Sequence, residues 1–343
     1  MAIAAHDLRL RPAGWTPTGF AATLVLVVLL LVLAGLAAGS GGWSLTGDAD
    51  GPLILAIRAP RTLGALLAGG LLGLSGALAQ GVFRNPLADP YLLGSASGAT
   101  LAIALVLAAG SAAGVPIALA APDWLPRLGL VGAAFAGALG GVLLTLALAR
   151  GAGRPTVLLL AGVVVGVLLG ALANLLMVVS PEALRGTQVF LLGTTGFLGW
   201  HSVVPLAVVL TVALPVAVRF ARVLDALVLG EATAASLGIA VPRIRLLLIV
   251  LLALATGTAV AETGLIAFVG LVAPHLVRRT VVVTHGALLV LSTLAGGALL
   301  LAADVVARSA LPPQELPVGL LTAVVGGCYL LAVLHRHAAG TAP

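Results

Sequence analysis

Residues 61–94 read RTLGALLAGGLLGLSGALAQGVFRNPLADPYLLG, and this stretch decides the fold. From Thr62 to Val82 it holds no charged residue. That is the length a helix needs to cross the hydrocarbon of a bilayer, about 20 residues. Polar residues follow, with Pro86 and Pro90 among them. Proline blocks a regular helix and holds its predecessor extended, so a stiff turn is expected at a helix mouth. Another apolar run begins at once, near Leu92. Lipid leaves no water for unpaired backbone groups, so chains that cross and recross it in long apolar runs do so as helices.

The pattern repeats along the chain. Of 343 residues, 61% are hydrophobic and only 8% charged. A soluble domain carries about 25% charged residues, so this chain cannot cover itself with a solvated surface. Apolar runs fall at 19–39, 62–82, 92–110, 128–149, 156–179, 202–219, 244–262, 264–277, 286–307 and 317–335, with 186–201 readable as a re-entrant segment. The expected fold is an all-α polytopic membrane protein with about ten transmembrane helices. A transmembrane domain over 19–335 lies between tails at 1–18 and 336–343. The first run exceeds the about 7–15 apolar residues of a secretory signal and reads as an uncleaved helix.

All 17 basic residues are arginine. A P-loop needs a lysine for the nucleotide phosphates, so any ATP-driven step belongs to another polypeptide. The arginines sit singly or in pairs between apolar runs, not in a basic stripe with aromatics, which argues against nucleic acid. Cys328 is the sole cysteine and lies in an apolar run, where a buried packing thiol is expected. His275 has no neighbouring Cys, Asp or Glu at ligand spacing, His201, His275 and His285 fall in different segments without acidic neighbours, and His6, His335 and His337 lie at the termini, so no metal site, cofactor or enzymatic constellation is expected.

Ten crossings from a cytoplasmic N-terminus put twelve arginines inside: Arg9, Arg11, Arg84, Arg150, Arg154, Arg219, Arg222, Arg243, Arg245, Arg278, Arg279 and Arg336. Five fall outside: Arg58, Arg61, Arg127, Arg185 and Arg308. This is the positive-inside bias of a multi-pass inner-membrane protein with both termini in the cytoplasm.

Four segments carry more specific information. Gln80–Gly94 is the stiff turn. Leu229–Gly238 is too polar to span; Ala232, Ala235 and Leu237 form the packing side of a short helix that Gly238 ends. An inner helix outside the lipid needs a protein partner or lies on the membrane surface. Gly264–Arg279 contains Pro274-His275 and closes on two arginines. In Ala302–Arg308, Asp304 and Arg308 are four apart and face each other on a helix; Glu315-Leu-Pro-Val-Gly319 follows.

In this order, from about residue 55 to 335, these segments resemble the FecCD family of ABC importer permeases. The resemblance implies a vitamin B12 permease-like fold. It also implies a permease pair (homodimer or heterodimer), two cytosolic ABC ATPase subunits beneath it, and an extracytoplasmic substrate-binding protein above. The family imports iron–siderophore complexes, haem and vitamin B12; an iron–siderophore complex is the expected cargo, with haem or cobalamin as alternatives. By resemblance, the segment at about 224–238 couples to the ATPase through Leu229, Gly230, Glu231, Ala234, Leu237 and Gly238. Arg58, Arg61 and Arg308 are similar to outer-face arginines that receive carboxylates of the binding protein, and Asn85, Leu87 and Thr156 resemble an inner gate. The chain departs from the pattern at Gly193-Thr194, Thr284-His285-Gly286 and Gly326-Gly327-Cys328, which bears on the cargo subgroup. An ion-coupled secondary transporter is the rival of another class. It wants ionisable residues near the midplane, and only Glu262 and Asp304 are candidates.

Overall fold

The structure is a computed structural model that describes residues 14–39, 42–43, 50–114, 124–151 and 153–339. Arg9 and Arg11 lie outside the described residues. In chain order the first helices are α1 (Pro17–Ala37), α2 (Asp50–Leu53), α3 (Ala59–Phe83), α4 (Ser95–Ala112) and α5 (Trp124–Leu148). Then come α6 (Pro155–Val179), α7 (Pro181–Leu192), α8 (Trp200–Arg219), α9 (Ala221–Val228) and α10 (Glu231–Ser236). The last four are α11 (Val241–Thr263), α12 (Val269–Thr280), α13 (His285–Ser309) and α14 (Val318–Ala339). Two short antiparallel strands, Ala38–Gly39 and Gly42–Trp43, follow α1.

Proline opens α1, α3, α6, α7 and α11 within their first two positions, where its missing N–H costs no hydrogen bond. Thr16 caps α1 and Ser180 caps α7 through their hydroxyls. Eight of the described helices are long and apolar enough to cross a membrane. With α14 and the shorter α12, they make a polytopic bundle compatible with about ten spans. The expected run at 264–277 is displaced: Gly264 (φ 70°) ends α11, and α12 starts only after Phe268 (φ 67°). Residues 186–201 divide between the end of α7, an irregular stretch and the start of α8.

The α3 helix is the axis of the bundle, with 83% of its apolar window buried. Helices in lipid associate by close packing of small residues, not by expelling water. On α3, a Cβ at Gly73 would lie 2.1 Å from the Ser292 carbonyl oxygen of α13, and one at Gly69 would lie 2.4 Å from that of Gly296. The α4–α5 crossing is built the same way, with a Cβ at Gly98 falling 2.1 Å from the Gly137 oxygen. At the other extreme, α1 and α6 leave most of their apolar side chains exposed, as lipid-facing helices do. Cys328 is exposed on α14, not buried as its apolar surroundings suggested, because α14 packs against the bundle along one side only.

Candidate functional site

Chemistry concentrates at the two ends of the bundle. One end is organised by α9 and α10. Ala221, Leu224 and Leu227 bury one face of α9 in a core cluster that also holds Val82 and Phe83 of α3. Asp225 accepts a hydrogen bond from the backbone N–H of His285 at 3.0 Å and contacts its Nδ1 at 2.7 Å, fastening α9 to the start of α13. Gly230 (φ 109°) turns the chain into α10. The end of α10 is a Schellman cap: Ile239 N–H donates to Ala234 O, Gly238 N–H donates to Ala235 O, and Gly238 takes φ 77°. Gly238 therefore stops the helix as its position suggested.

The packing side of α10 is not the expected one. Ala234 alone of this helix is buried, whereas Ala232, Ala235 and Leu237 face outward. A six-residue helix is too short for its hydrophobic pattern to fix which side packs. The Glu231 anchor and the Gly230 turn fix it instead. Val228, Leu229 and Leu237 are consequently left 65–69% exposed on a segment beyond the spanning helices. Large apolar side chains clustered on a polar element mark a protein contact.

Glu231 was expected to face a partner. In the structure it is engaged within the chain: Oε1 accepts from Arg245 Nη2 at 2.6 Å and from Arg84 Nη2 at 3.3 Å. Arg245 is buried, and its Nη1 donates to the Gly153 carbonyl at 3.0 Å. Arg84 is the left-handed C-cap of α3. Just after it, Asn85 Oδ1 accepts from Leu87 N–H at 2.9 Å, an Asx turn that leaves Asn85 and Leu87 exposed. Asp89 then caps a single 3₁₀ turn, Pro90–Leu93, by accepting from Tyr91 N–H. Burial pushes the Asp89 carboxyl up to about 6, against the lowering effect of that N–H bond. The Tyr91 hydroxyl donates to Ile266 O and the Thr145 hydroxyl to Leu93 O, which pins the 84–94 connection against its neighbours. Gln80 ties the mouth of α3 to α12: its amide donates to Leu271 O, and its oxygen accepts from Arg278 at 2.9 Å. Thr156 is exposed at the start of α6.

The opposite end holds a buried charge cluster. Asp304, wholly buried on α13, receives Arg61 Nε at 3.0 Å and the Thr195 hydroxyl at 2.6 Å on one oxygen, and Arg308 on the other. The expected pairing of Asp304 with Arg308 along one helix turn is present. Arg61 also donates from Nη1 to both oxygens of Glu315, at 3.0 and 2.8 Å. Arg308 donates to the carbonyls of Gly35 and Ala38, and Arg58 to those of Leu36 and Ala37. A buried carboxylate is tolerable only when paired and hydrogen-bonded, and this one is. Arg58, Arg61 and Arg308 were expected to offer their charges outward. The structure turns all three inward, leaving them no more than 6% exposed, because Asp304 and the frayed end of α1 draw the guanidiniums into the bundle. Glu315, whose side chain is one-third exposed, is the accessible member of the cluster. Sequence reading quoted its motif without giving it a part, and Thr195 carried no signal at all.

Gly193, where the chain departs from the expected Gly-Ser, is held at φ 62°. A Cβ there would fall 2.3 Å from Leu265 O, and its own carbonyl accepts from Gly319 N–H. The glycine is structural; Thr194 after it donates its N–H to Thr263 O and accepts from Gly196 N–H on its hydroxyl, bonds that Ser makes equally well.

A lipid-crossing helical bundle with a short helical handle bearing exposed apolar side chains at one end and a closed charge cluster at the other is the build of a membrane permease. The comparisons agree. The pattern of the FecCD transport family matches residues 20–336, and the chain belongs to that family. It is 38% identical to the hemin transport system permease protein HmuU of Yersinia pestis over 323 residues, 91% of this chain and 94% of that one. It is 40% identical to the cobalamin import system permease protein BtuC of Halobacterium salinarum over 281 residues, 81% and 72% of the two chains. A solved metal-chelate type ABC transporter in an inward-facing conformation superposes with a TM-score of 0.83 at 28% identity, covering 94% of this chain and all of the other. The protein is a multi-pass transport component.

Proposed function

We propose that this permease is the membrane subunit of a binding-protein-dependent ABC importer for a metal–organic chelate. Siderophore-bound ferric iron is the first candidate cargo, and haem or cobalamin the alternatives. The observation that carries the reading is the α9–α10 segment, which presents Val228, Leu229 and Leu237 beyond the spanning helices of a chain that has no lysine for a nucleotide site. A separate ATPase pair grips this segment at Leu229, Gly230, Leu237 and Gly238, while Ala234 and Glu231, the other two residues of the coupling set, anchor it to this chain. The end that holds it faces the cytoplasm, and both termini lie on that side, as the arginine bias requires.

Nucleotide binding moves the handle. The handle moves the gate formed by Asn85, Leu87 and Thr156, all exposed at the same end. A loaded binding protein docks at the Asp304 end, where its carboxylates reach Arg61 by taking the place of Glu315, with Arg308 joined to Arg61 through Asp304 and Arg58 held on the end of α1 beside them. Two permease chains form the path. An ion-coupled mechanism would need a carboxylate near the midplane to take up the ion: both oxygens of Asp304 are already engaged, and Glu262 lies in the last turn of α11, away from the midplane.

The experiment is reconstitution. The permease, its ATPase and the binding protein are placed in proteoliposomes and supplied in turn with a ferric siderophore, haem and cobalamin. ATP-dependent uptake of one of them is expected. Uptake that proceeds without the ATPase overturns the reading.

A further inference from the structure

We infer that Glu231 is a tie between the coupling helix and the two gate loops, acting inside this chain and not as a contact for the ATPase. The inference rests on the coupling role proposed above for α9–α10 and assigns the route that motion takes from it. One carboxylate oxygen binds two guanidiniums that belong to different parts of the bundle. Arg84 is followed directly by Asn85 and Leu87. Arg245 passes the connection on through Nη1 to the Gly153 carbonyl, in the short link between α5 and α6 and three residues before Thr156. A displacement of α10 is thus delivered to both elements of the gate through a single atom.

The two arms differ in kind. The Glu231–Arg84 contact is an exposed pair, with side chains 37% and 41% exposed, and pairs of that sort contribute little to stability. Arg245 is 1% exposed, so its guanidinium cannot follow Glu231 into water and must pull on Gly153 when the helix moves. Charge-assisted bonds to a planar, fixed donor fork resist stretching in a way that the apolar contacts of Ala234 do not. The alternative route is rigid packing of α9 on α3, where Leu224 lies against Gly81. That route needs neither arginine.

The test uses the permease with its ATPase in lipid nanodiscs, carrying Cys328→Ser and Leu87→Cys. The rate of labelling of the introduced thiol by a charged maleimide is compared with and without ATP plus vanadate. A several-fold nucleotide-dependent change is expected in this background, falling to a ratio of about one in Glu231→Gln and in Arg84→Gln while ATP hydrolysis continues. Arg84→Lys, which keeps the charge, is expected to restore most of the change. A ratio that stays several-fold in both Gln variants overturns the inference and leaves packing of α9 as the route. A second measurement separates this from failure of the coupling reading: thiols introduced by Leu229→Cys and Leu237→Cys should cross-link to the ATPase. If they do not, the handle itself is wrong, and the tie falls with it. Should Glu231→Gln disturb assembly, Arg84→Gln decides alone, since its side chain is the more exposed one.

Discussion

Gly76 sits where α3 and α12 touch most closely, and replacing it with alanine tests the packing on which the gate is mounted. The added Cβ would lie 1.7 Å from the Gly270 carbonyl oxygen and 2.8 Å from its Cα. Nonbonded atoms settle at about 3.5 Å, so α12 must withdraw by roughly 2 Å, since neither backbone has a side chain to swing away. Overpacking a filled interior costs about 1–3 kcal/mol, and a backbone-on-backbone clash of this depth belongs at the upper end. For a chain of this size that corresponds to a fall in Tm on the order of 4 °C. The matched control is Gly140→Ala, where the new Cβ meets nothing within 4 Å. There alanine is neutral or gains up to about 1 kcal/mol as the better helix former. The assay is thermal denaturation in detergent at one fixed heating rate, read as the fraction still monodisperse by size exclusion. Transport should suffer more than stability in Gly76→Ala, because Gly270 also abuts Pro90 of the gate connection at 2.8 Å from its own virtual Cβ. If Gly76→Ala melts with the control, the close approach of α3 and α12 does not hold the bundle and the reasoning fails.

Other perturbations separate the two ends. Asp304→Asn strips the charge from a fully buried acceptor of two guanidiniums and should cost about 3–5 kcal/mol, seen as a collapse of folded yield or Tm, whereas Glu231→Gln, whose side chain is partly exposed and whose amide oxygen still accepts from the buried Arg245, should cost clearly less. Equal melting of the two variants would contradict the burial assigned to Asp304. Glu315→Gln weakens the bidentate hold on Arg61 and should tighten docking of the binding protein several-fold in a pull-down titration; weaker docking would mean that Glu315 itself is part of the contact. Asp89, with its carboxyl raised to about 6, holds its proton more firmly folded than unfolded. Its contribution to stability is therefore fullest below the ordinary carboxylate range and is lost as pH rises through about 6. Asp89→Asn, which can still cap the 3₁₀ turn, should raise Tm above that pH and flatten the profile between pH 4.5 and 8; an unchanged profile counts against the burial.

What the sequence determined by itself was whatever is local along the chain. Run length and the scarcity of charge set the number of spans, because the thickness of hydrocarbon is a one-dimensional constraint that each segment meets alone. The turn at Asn85–Asp89 and the stop at Gly238 were equally legible, since proline and left-handed glycine act on their own backbone. The tertiary structure decided everything that depends on partners. Arg61 meets Asp304 and Glu315 across 243 and 254 residues, and Arg84 meets Glu231 across 147. No periodicity encodes such pairs, so three arginines read as an outward-facing surface prove to be turned into the bundle. Likewise the buried face of α10 passed from Ala232, Ala235 and Leu237 to Ala234 because the guanidiniums of Arg84 and Arg245 on other helices, not the helix's own pattern, set its rotation.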